Sequence, residues 1–334
     1  MSRPVGDPDG TVTDRACPGP ETVPVPAALR RGVRATADGA TWLTRLPALV
    51  DRARTRWGLR LEDPFQSGTT AWTAPARTRE GGDAVVKIVL PHPEAAGEAA
   101  ALRAWAGQGA VELLDHDAEA WTLLLRRARP GHGLEEDPVL AERRPSTRLD
   151  LAGELLARLH DTPHPADGVA ALASLVRPWA ELLRERAARL AAPLDLDTGL
   201  VAEAAGLLEE LPGSAARTVL VHGDLNPGNV LAADDGAGRT WLAIDPKPAL
   251  GDPAYDPWPL LTQVGAPFAE SDPTATLRAH TRVLCAAAGL EPDRVAAWAL
   301  ARSCESALWD AAVHGDRDGA LDELAQARAW ARLL

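Results

Sequence analysis

Lysine is nearly missing from this chain: of 35 basic residues only Lys87 and Lys247 are lysine, the rest being arginine. Cysteine is as scarce. Cys17, Cys285 and Cys304 form an odd set without metal-ligand spacing. That excludes a disulfide framework or a structural zinc site and leaves reduced thiols. No apolar run comes near the roughly 20 residues of a membrane span, and no basic stretch leads into an apolar segment at the N-terminus. A cytoplasmic protein without a membrane partner is expected. Positive charge is outweighed, with a formal net charge of −12 and a pI near 5.2. Nucleic acid phosphates would be repelled, whereas a cationic small molecule would not. The imbalance is uneven, since from Val221 onward 16 acidic residues stand against 9 basic ones. A monomer or weak dimer is expected. What is present is ordinary for a globular enzyme: 334 residues, 46% of them apolar, enough for two lobes.

Residues 1–26 hold six prolines and no hydrophobic period, and read as a flexible tail. Helical spacing runs from Ala27 to Leu59, with Trp42, Leu43, Leu46, Leu49 and Val50 on one side. The β-branched run Asp83–Leu90, bounded by Gly81-Gly82 and Pro91, predicts a strand. A helix is expected from Glu94 to Gly107 and strands at Val111–Leu114 and Trp121–Leu125, parted by a turn at 115–119. Beyond Pro130-Gly131 helices dominate, at Leu149–His160, Val169–Leu190 and Leu200–Leu211. Short strands are expected at Thr218–Val221, Asn229–Leu231 and Trp241–Ile244, and three or four helices complete the chain. Strands first and helices later mean an α+β, bilobal fold. The expected division is an N-lobe of 27–128 and a C-lobe of 129–334.

The segment His222-Gly-Asp-Leu-Asn-Pro-Gly-Asn229 sets polar residues between two apolar strands. A Pro-Gly turn lets Asp224 and Asn229 point into one cleft, and Asp245 ends the next strand. Two carboxylates and an amide oxygen are hard ligands suited to Mg²⁺, which takes the rest of its shell from water and phosphates. Lys87 sits in the middle of an apolar strand, where a charge is costly without a partner. Glu98 on the next helix is its expected partner; Glu94, four residues earlier on the same helical face, is the rival. In so arginine-rich a chain, lysine is retained where a compact point charge must reach a phosphate.

A mid-strand Lys, a helical Glu, HGDxxxxN and then ID resemble the protein-kinase-like fold in its aminoglycoside phosphotransferase branch. More narrowly, "AWTAPA", "HPEAAGEAAALRAWAGQGAVELL", "HGDLNPGNVL" and "WLAIDPKPALGDPAYD" resemble the streptomycin 6-kinase and hydroxyurea phosphotransferase family, over roughly residues 25–334. The resemblance implies Mg-ATP-dependent phosphorylation of a small polar, cationic antibiotic. Asp224 would orient the acceptor hydroxyl and take its proton; Asn229 and Asp245 would hold Mg²⁺. Lys87, held by Glu98, would bind the α/β-phosphates, with Lys247 close to the same cleft. Ser67, Gly68, Thr69 and Thr70 would cover the phosphates, and backbone at Arg126, Arg127 and Ala128 would receive adenine. Asn226 stands where relatives often carry His, beside the acceptor site. Glu270, Glu305 and Asp310 are candidates for an acidic acceptor wall. Asp252 and Asp256 are expected to brace the GDPAYD loop, and His222 to be a hydrogen-bonded scaffold. His92, His116, His132, His160 and His164 are assigned to solvent or core. The rival readings are a kinase for hydroxyurea, a viomycin-type peptide, a sugar or an amino alcohol, and a non-catalytic nucleotide-binding regulator.

Overall fold

The computed structural model describes residues 23–34, 36–163, 167–234, 236 and 238–334. Cys17, His164 and most of the expected tail lie outside them. The fold grows around two buried apolar clusters. The first is built from helices α1 (Ala27–Arg34) and α2 (Gly39–Trp57) against an antiparallel sheet. The sheet holds β1 (Arg60–Leu61), β2 (Ala71–Arg77), β3 (Asp83–Val89), β4 (Leu113–Asp117) and β5 (Thr122–Arg126), in the order β1-β2-β3-β5-β4. Trp42, Leu46 and Val50 recur at four-residue spacing on α2 and are buried against the sheet. Leu46 and Val50 each contribute roughly 1.5–3 kcal/mol on burial. Gly58, in the left-handed conformation that a side chain disfavours, ends the helix and donates to the Arg54 carbonyl.

Strand β3 explains where Lys87 points. Side chains alternate across a strand, and Ala84, Val86 and Ile88 all enter the α2 cluster. Lys87 therefore emerges on the opposite face, in the middle of a central strand paired to both β2 and β5.

Helix α3 (Glu98–Trp105) crosses that face and buries Ala101, Leu102 and Trp105 in the second cluster. This cluster thus draws residues from both sides of position 128. The same cluster gathers α4 (Pro145–His160), α5 (Leu172–Leu194), α6 (Thr198–Glu210), α7 (Trp258–Gln263), α8 (Pro273–Ala288), α9 (Pro292–Trp309) and α10 (Arg317–Ala331). Two small sheets carry the loops between these helices. In one, β7 (Val219–Val221) pairs with β10 (Ala249–Gly251); in the other the order is β6 (Pro130–Gly133), β8 (Val230–Asp234), β9 (Arg239–Ala243).

Several elements differ from the sequence reading for local reasons. Residues 115–117 are strand rather than turn, because α2 supplies partners: Trp57 Nε1 donates to Asp115 at 2.7 Å and Arg52 pairs with Asp117 at 2.6 Å. The helix expected from Glu94 is broken into a 3-10 turn, Pro93–Ala95, before α3 begins at Glu98. Helix α5 starts at Leu172, since Ala170 and Ala171 pair with Leu250 instead. Strands β6 and β10, short and rich in Gly, Pro or Ala, carry no alternation that would announce them.

Candidate active site

Strand β7 delivers His222, Gly223 and Asp224, and β9 delivers Ile244 and Asp245, to one end of the small sheets. Pairing of Val230 with Ala243, continued by an Ile244 N–H to Asn229 carbonyl bond of 2.9 Å, sets Asn229 beside the Asp245 loop. The two loops are also tied by Lys247 N–H to the His222 carbonyl, 2.9 Å. Gly223 (φ 81°) must be glycine, because a Cβ there would lie 2.0 Å from the Lys247 carbonyl oxygen. Asp245 itself has φ 55°, a strained setting tolerated by Asp and typical of functional loops.

The HGD peptide is held by the buried carboxylate of Asp256. It accepts from His222 N–H (2.9 Å), Gly223 N–H (2.8 Å) and His160 Nε2 (2.7 Å). Burial opposes its charge, but the His160 hydrogen bond and charge, with the neighbouring donors, hold its pKa below the usual value. Burial pushes the His222 pKa down, against the opposing pull of Asp256 and Asp224. Its Nε2 donates to the Ile244 carbonyl (3.0 Å) and its Nδ1 accepts from Asp224 N–H (3.3 Å), so it links the two loops as a scaffold. Trp105 of α3 stacks on its ring. Asp252 accepts from Arg294 Nε at 2.6 Å and Trp298 Nε1 at 2.7 Å, both on α9.

Across the cleft Lys87 is enclosed. Its ammonium lies 2.6 and 2.7 Å from the two Glu98 oxygens and also bonds Asp245 Oδ1. Burial works against the Lys87 charge, but Glu98 and Asp245 outweigh it and raise its pKa. In return, against its own burial, Asp245 is held below the ordinary carboxylate range, first by Lys87. Glu94 takes the other lysine: Lys247 Nζ is 3.7 Å from Glu94 and 3.2 Å from Asp224 Oδ2. The break before α3 separates the two glutamates, which do not share a helical face. Thr70, Lys87, Glu98, Asp245 and Lys247 line one pocket, and so does His92, which the sequence reading had sent to solvent or core. Its Nδ1 is 2.7 Å from the Leu90 carbonyl.

The remaining candidates scatter. Ser67, Gly68 and Thr69 are exposed on the loop before β2 and do not line that pocket. Arg126 N–H is taken by the Glu112 carbonyl (2.9 Å) and Arg127 N–H by the Asp83 carbonyl (3.4 Å). Asn226 spends its amide oxygen on Gly228 N–H (2.9 Å), while its amide nitrogen lies 3.4 Å from Asp224 Oδ1. Glu305 is no open acidic wall: it is largely buried and paired with Arg186 at 2.7 Å. Asp310 lies 4.0 Å from His314, and Glu270 sits near His280, with no described contact to the Asp224 loop. Arg302 and His160, which touch the His222–Asp224 segment through backbone or through Asp256, had no local sequence signal.

Among the described residues no group of three or more His, Cys, Asp or Glu side chains is placed to hold a metal alone. The oxygens available are Asp245 Oδ2, not engaged by Lys87, and the Asn229 amide oxygen, whose Nδ2 donates to the Asp224 carbonyl at 2.9 Å. One carboxylate and one amide fit Mg²⁺ shared with phosphates and water. No described helix is long and apolar enough to cross a membrane.

Residues 56–314 match the family model described as aminoglycoside/hydroxyurea antibiotic resistance kinase. The chain is 34% identical over 313 residues to the streptomycin 6-kinase of Streptomyces glaucescens, covering 92% of this chain and 96% of that one. It is 35% identical over 283 residues to the hydroxyurea phosphotransferase of Kitasatospora aureofaciens, covering 82% and 76%. In fold it is similar to a choline/ethanolamine kinase family protein from Mesorhizobium loti, with a TM-score of 0.58, 19% identity and 84% and 94% of the two chains covered.

Proposed function

The chain belongs to the aminoglycoside/hydroxyurea antibiotic resistance kinases, a small-molecule phosphotransferase, and from that membership we propose that it moves the γ-phosphoryl group of Mg-ATP onto a hydroxyl of a cationic antibiotic of the streptomycin type. The observation that carries this reading is the pairing of two lysines with two loops. Lys87 is fixed by Glu98 against Asp245, and Lys247 bridges Asp224 and Glu94 in the same cleft.

In this reading Asp224 accepts a hydrogen bond from the acceptor hydroxyl and takes its proton as the new O–P bond forms. The bond from the γ-phosphorus to the β–γ bridging oxygen breaks and ADP leaves. Lys87 places its charge on the α/β-phosphates. Lys247 exchanges its contact with Asp224 for the phosphoryl group under transfer, which frees the carboxylate for the hydroxyl. Asp245 and Asn229 would hold Mg²⁺ through their oxygens, and the ion would neutralise phosphate charge there. Phosphoryl transfer asks mainly for such positioning and charge, with little covalent chemistry from the protein. Residues 27–128 then serve as the lobe over the nucleotide, and 129–334 bring the acceptor. Of the three backbone positions assigned to adenine, the Ala128 N–H is the one without an intramolecular acceptor among the described residues, and it is the adenine donor in this reading.

The test is ADP release with Mg-ATP across streptomycin, hydroxyurea, a viomycin-type peptide and neutral polyols. Streptomycin should exceed the acceptor-free rate by at least tenfold. A streptomycin rate equal to background would overturn the substrate assignment, and background rates with every acceptor would overturn the transfer reading for this site.

A further inference from the structure

Helix α9 turns one face towards the catalytic segment, with Arg294, Trp298 and Arg302 at four-residue spacing. The first two end on Asp252 of the GDPAYD loop. Arg302, one turn on, reaches further. Its guanidinium carbon lies 4.1 Å from the centre of the Tyr255 ring and 4.4 Å from that of Trp258. One end, Nη1, donates to the Tyr255 carbonyl at 3.0 Å; the other, Nη2, to the Gly223 carbonyl at 3.4 Å.

That last contact matters because of what lies at the other edge of the same peptide. The Gly223–Asp224 peptide presents its carbonyl to Arg302 and its N–H to His222 Nδ1 at 3.3 Å. It is therefore gripped on both edges. Gly223 has no side chain to restrict it, and its φ of 81° leaves rotation of this peptide to be stopped by its partners. A turn of the peptide plane would swing the Asp224 carboxylate relative to Lys247. Only a guanidinium fits the place: two carbonyls on separate segments need two divergent N–H directions, and stacking on the rings needs a flat cation. A lysine ammonium supplies neither together.

We propose that Arg302 is a positioning residue of phosphoryl transfer, fixing the peptide that carries Asp224 while touching neither nucleotide nor acceptor. The inference rests on the assignment of Asp224 as base. It extends that assignment to a residue 78 positions later in the chain.

The test uses the full chain and the variants Arg302→Lys, Arg302→Ala and Trp258→Leu, the last removing one stacking face and sparing both hydrogen bonds. Misplacement of a reacting group by about 1 Å costs on the order of 100-fold. Arg302→Lys should thus lower kcat with streptomycin by roughly 10- to 100-fold, with Mg-ATP affinity and binding stoichiometry unchanged, and Trp258→Leu should do less. Guanidinium ion at millimolar concentration should restore part of the Arg302→Ala rate, and urea at the same concentration should not. A second readout needs no acceptor. Amide exchange in peptides spanning 222–229 should quicken at least tenfold in Arg302→Lys, while those spanning β3 stay as in the wild type. Unchanged exchange in 222–229 would overturn the proposal. So would a loss of kcat matched by an equal loss of nucleotide-binding stoichiometry, which marks a merely structural residue. Failure of the wild type to phosphorylate streptomycin would instead count against the substrate, leaving the exchange result to decide on Arg302.

Discussion

Replacing Asp256 by Asn should cost far more stability than an ordinary polar substitution. The carboxylate is fully buried and accepts three hydrogen bonds, from His160 Nε2 and the backbone N–H groups of His222 and Gly223. An amide keeps one acceptor oxygen and turns an NH₂ towards donors that already point inward. Hydrogen bonds to a charged group contribute about 1.5–3 kcal/mol each, and stranding a buried partner costs about 1–3 kcal/mol more. Such contributions overlap, so a net loss of roughly 3–5 kcal/mol is expected, as for breaking a buried pair. Urea unfolding followed by far-UV circular dichroism measures it. The pH dependence gives a second check. The folded pKa of Asp256 is depressed, so its stabilisation is present above the unfolded carboxylate value of about 3.9 and fades as pH falls through the lower folded value. The gap between wild type and Asp256→Asn should therefore narrow only in strong acid. A loss below about 1 kcal/mol at pH 7 would refute the claim that this carboxylate organises the HGD peptide.

Lys87→Arg should weaken Mg-ATP binding and lower kcat despite the retained charge, because a planar head does not fit between Glu98 and Asp245; unaltered kinetics would contradict the enclosed site. Asp245→Ala should abolish the Mg²⁺-dependent part of nucleotide affinity in calorimetry, and Asn229→Ala should reduce it less, an amide being the weaker ligand. Glu323, whose pKa burial pushes up to about 7 with Asp310, Glu305 and Asp316 adding to the rise, destabilises the fold when ionised. Its raised value means that the stabilising protonated form is lost as pH rises through 7. Glu323→Gln should accordingly raise Tm at pH 8 and leave it unchanged at pH 4, and equal shifts at both would exclude this account.

What could be read from sequence depended on the range of the interaction. Lys87 was legible because a charge inside a β-branched run must face a partner, and the Asp224 and Asp245 loops because polar residues interrupt short apolar strands. Glu98 was legible only as one of two glutamates; the 3-10 break at Pro93–Ala95 that parts them depends on how α3 packs. Glu305 was misread as a free carboxylate since its partner, Arg186, lies 119 residues away and nothing local encodes the pair. Arg302 was missed for the same reason: it acts on a backbone carbonyl, which leaves no trace in side-chain pattern. His92 sits in the cleft because the carbonyl of Leu90, the first residue past the end of β3, fixes the ring, a detail of chain path rather than residue type.

The central claim is that Asp224 is the base and anchor of transfer, and its most direct test is Asp224→Asn. Single-turnover transfer from γ-labelled ATP to streptomycin should fall by at least about 10²–10⁴-fold, the usual range for a general base. Mg-ATP affinity should stay within about threefold of wild type, a shift of under 1 kcal/mol. Wild-type transfer in Asp224→Asn would contradict the account.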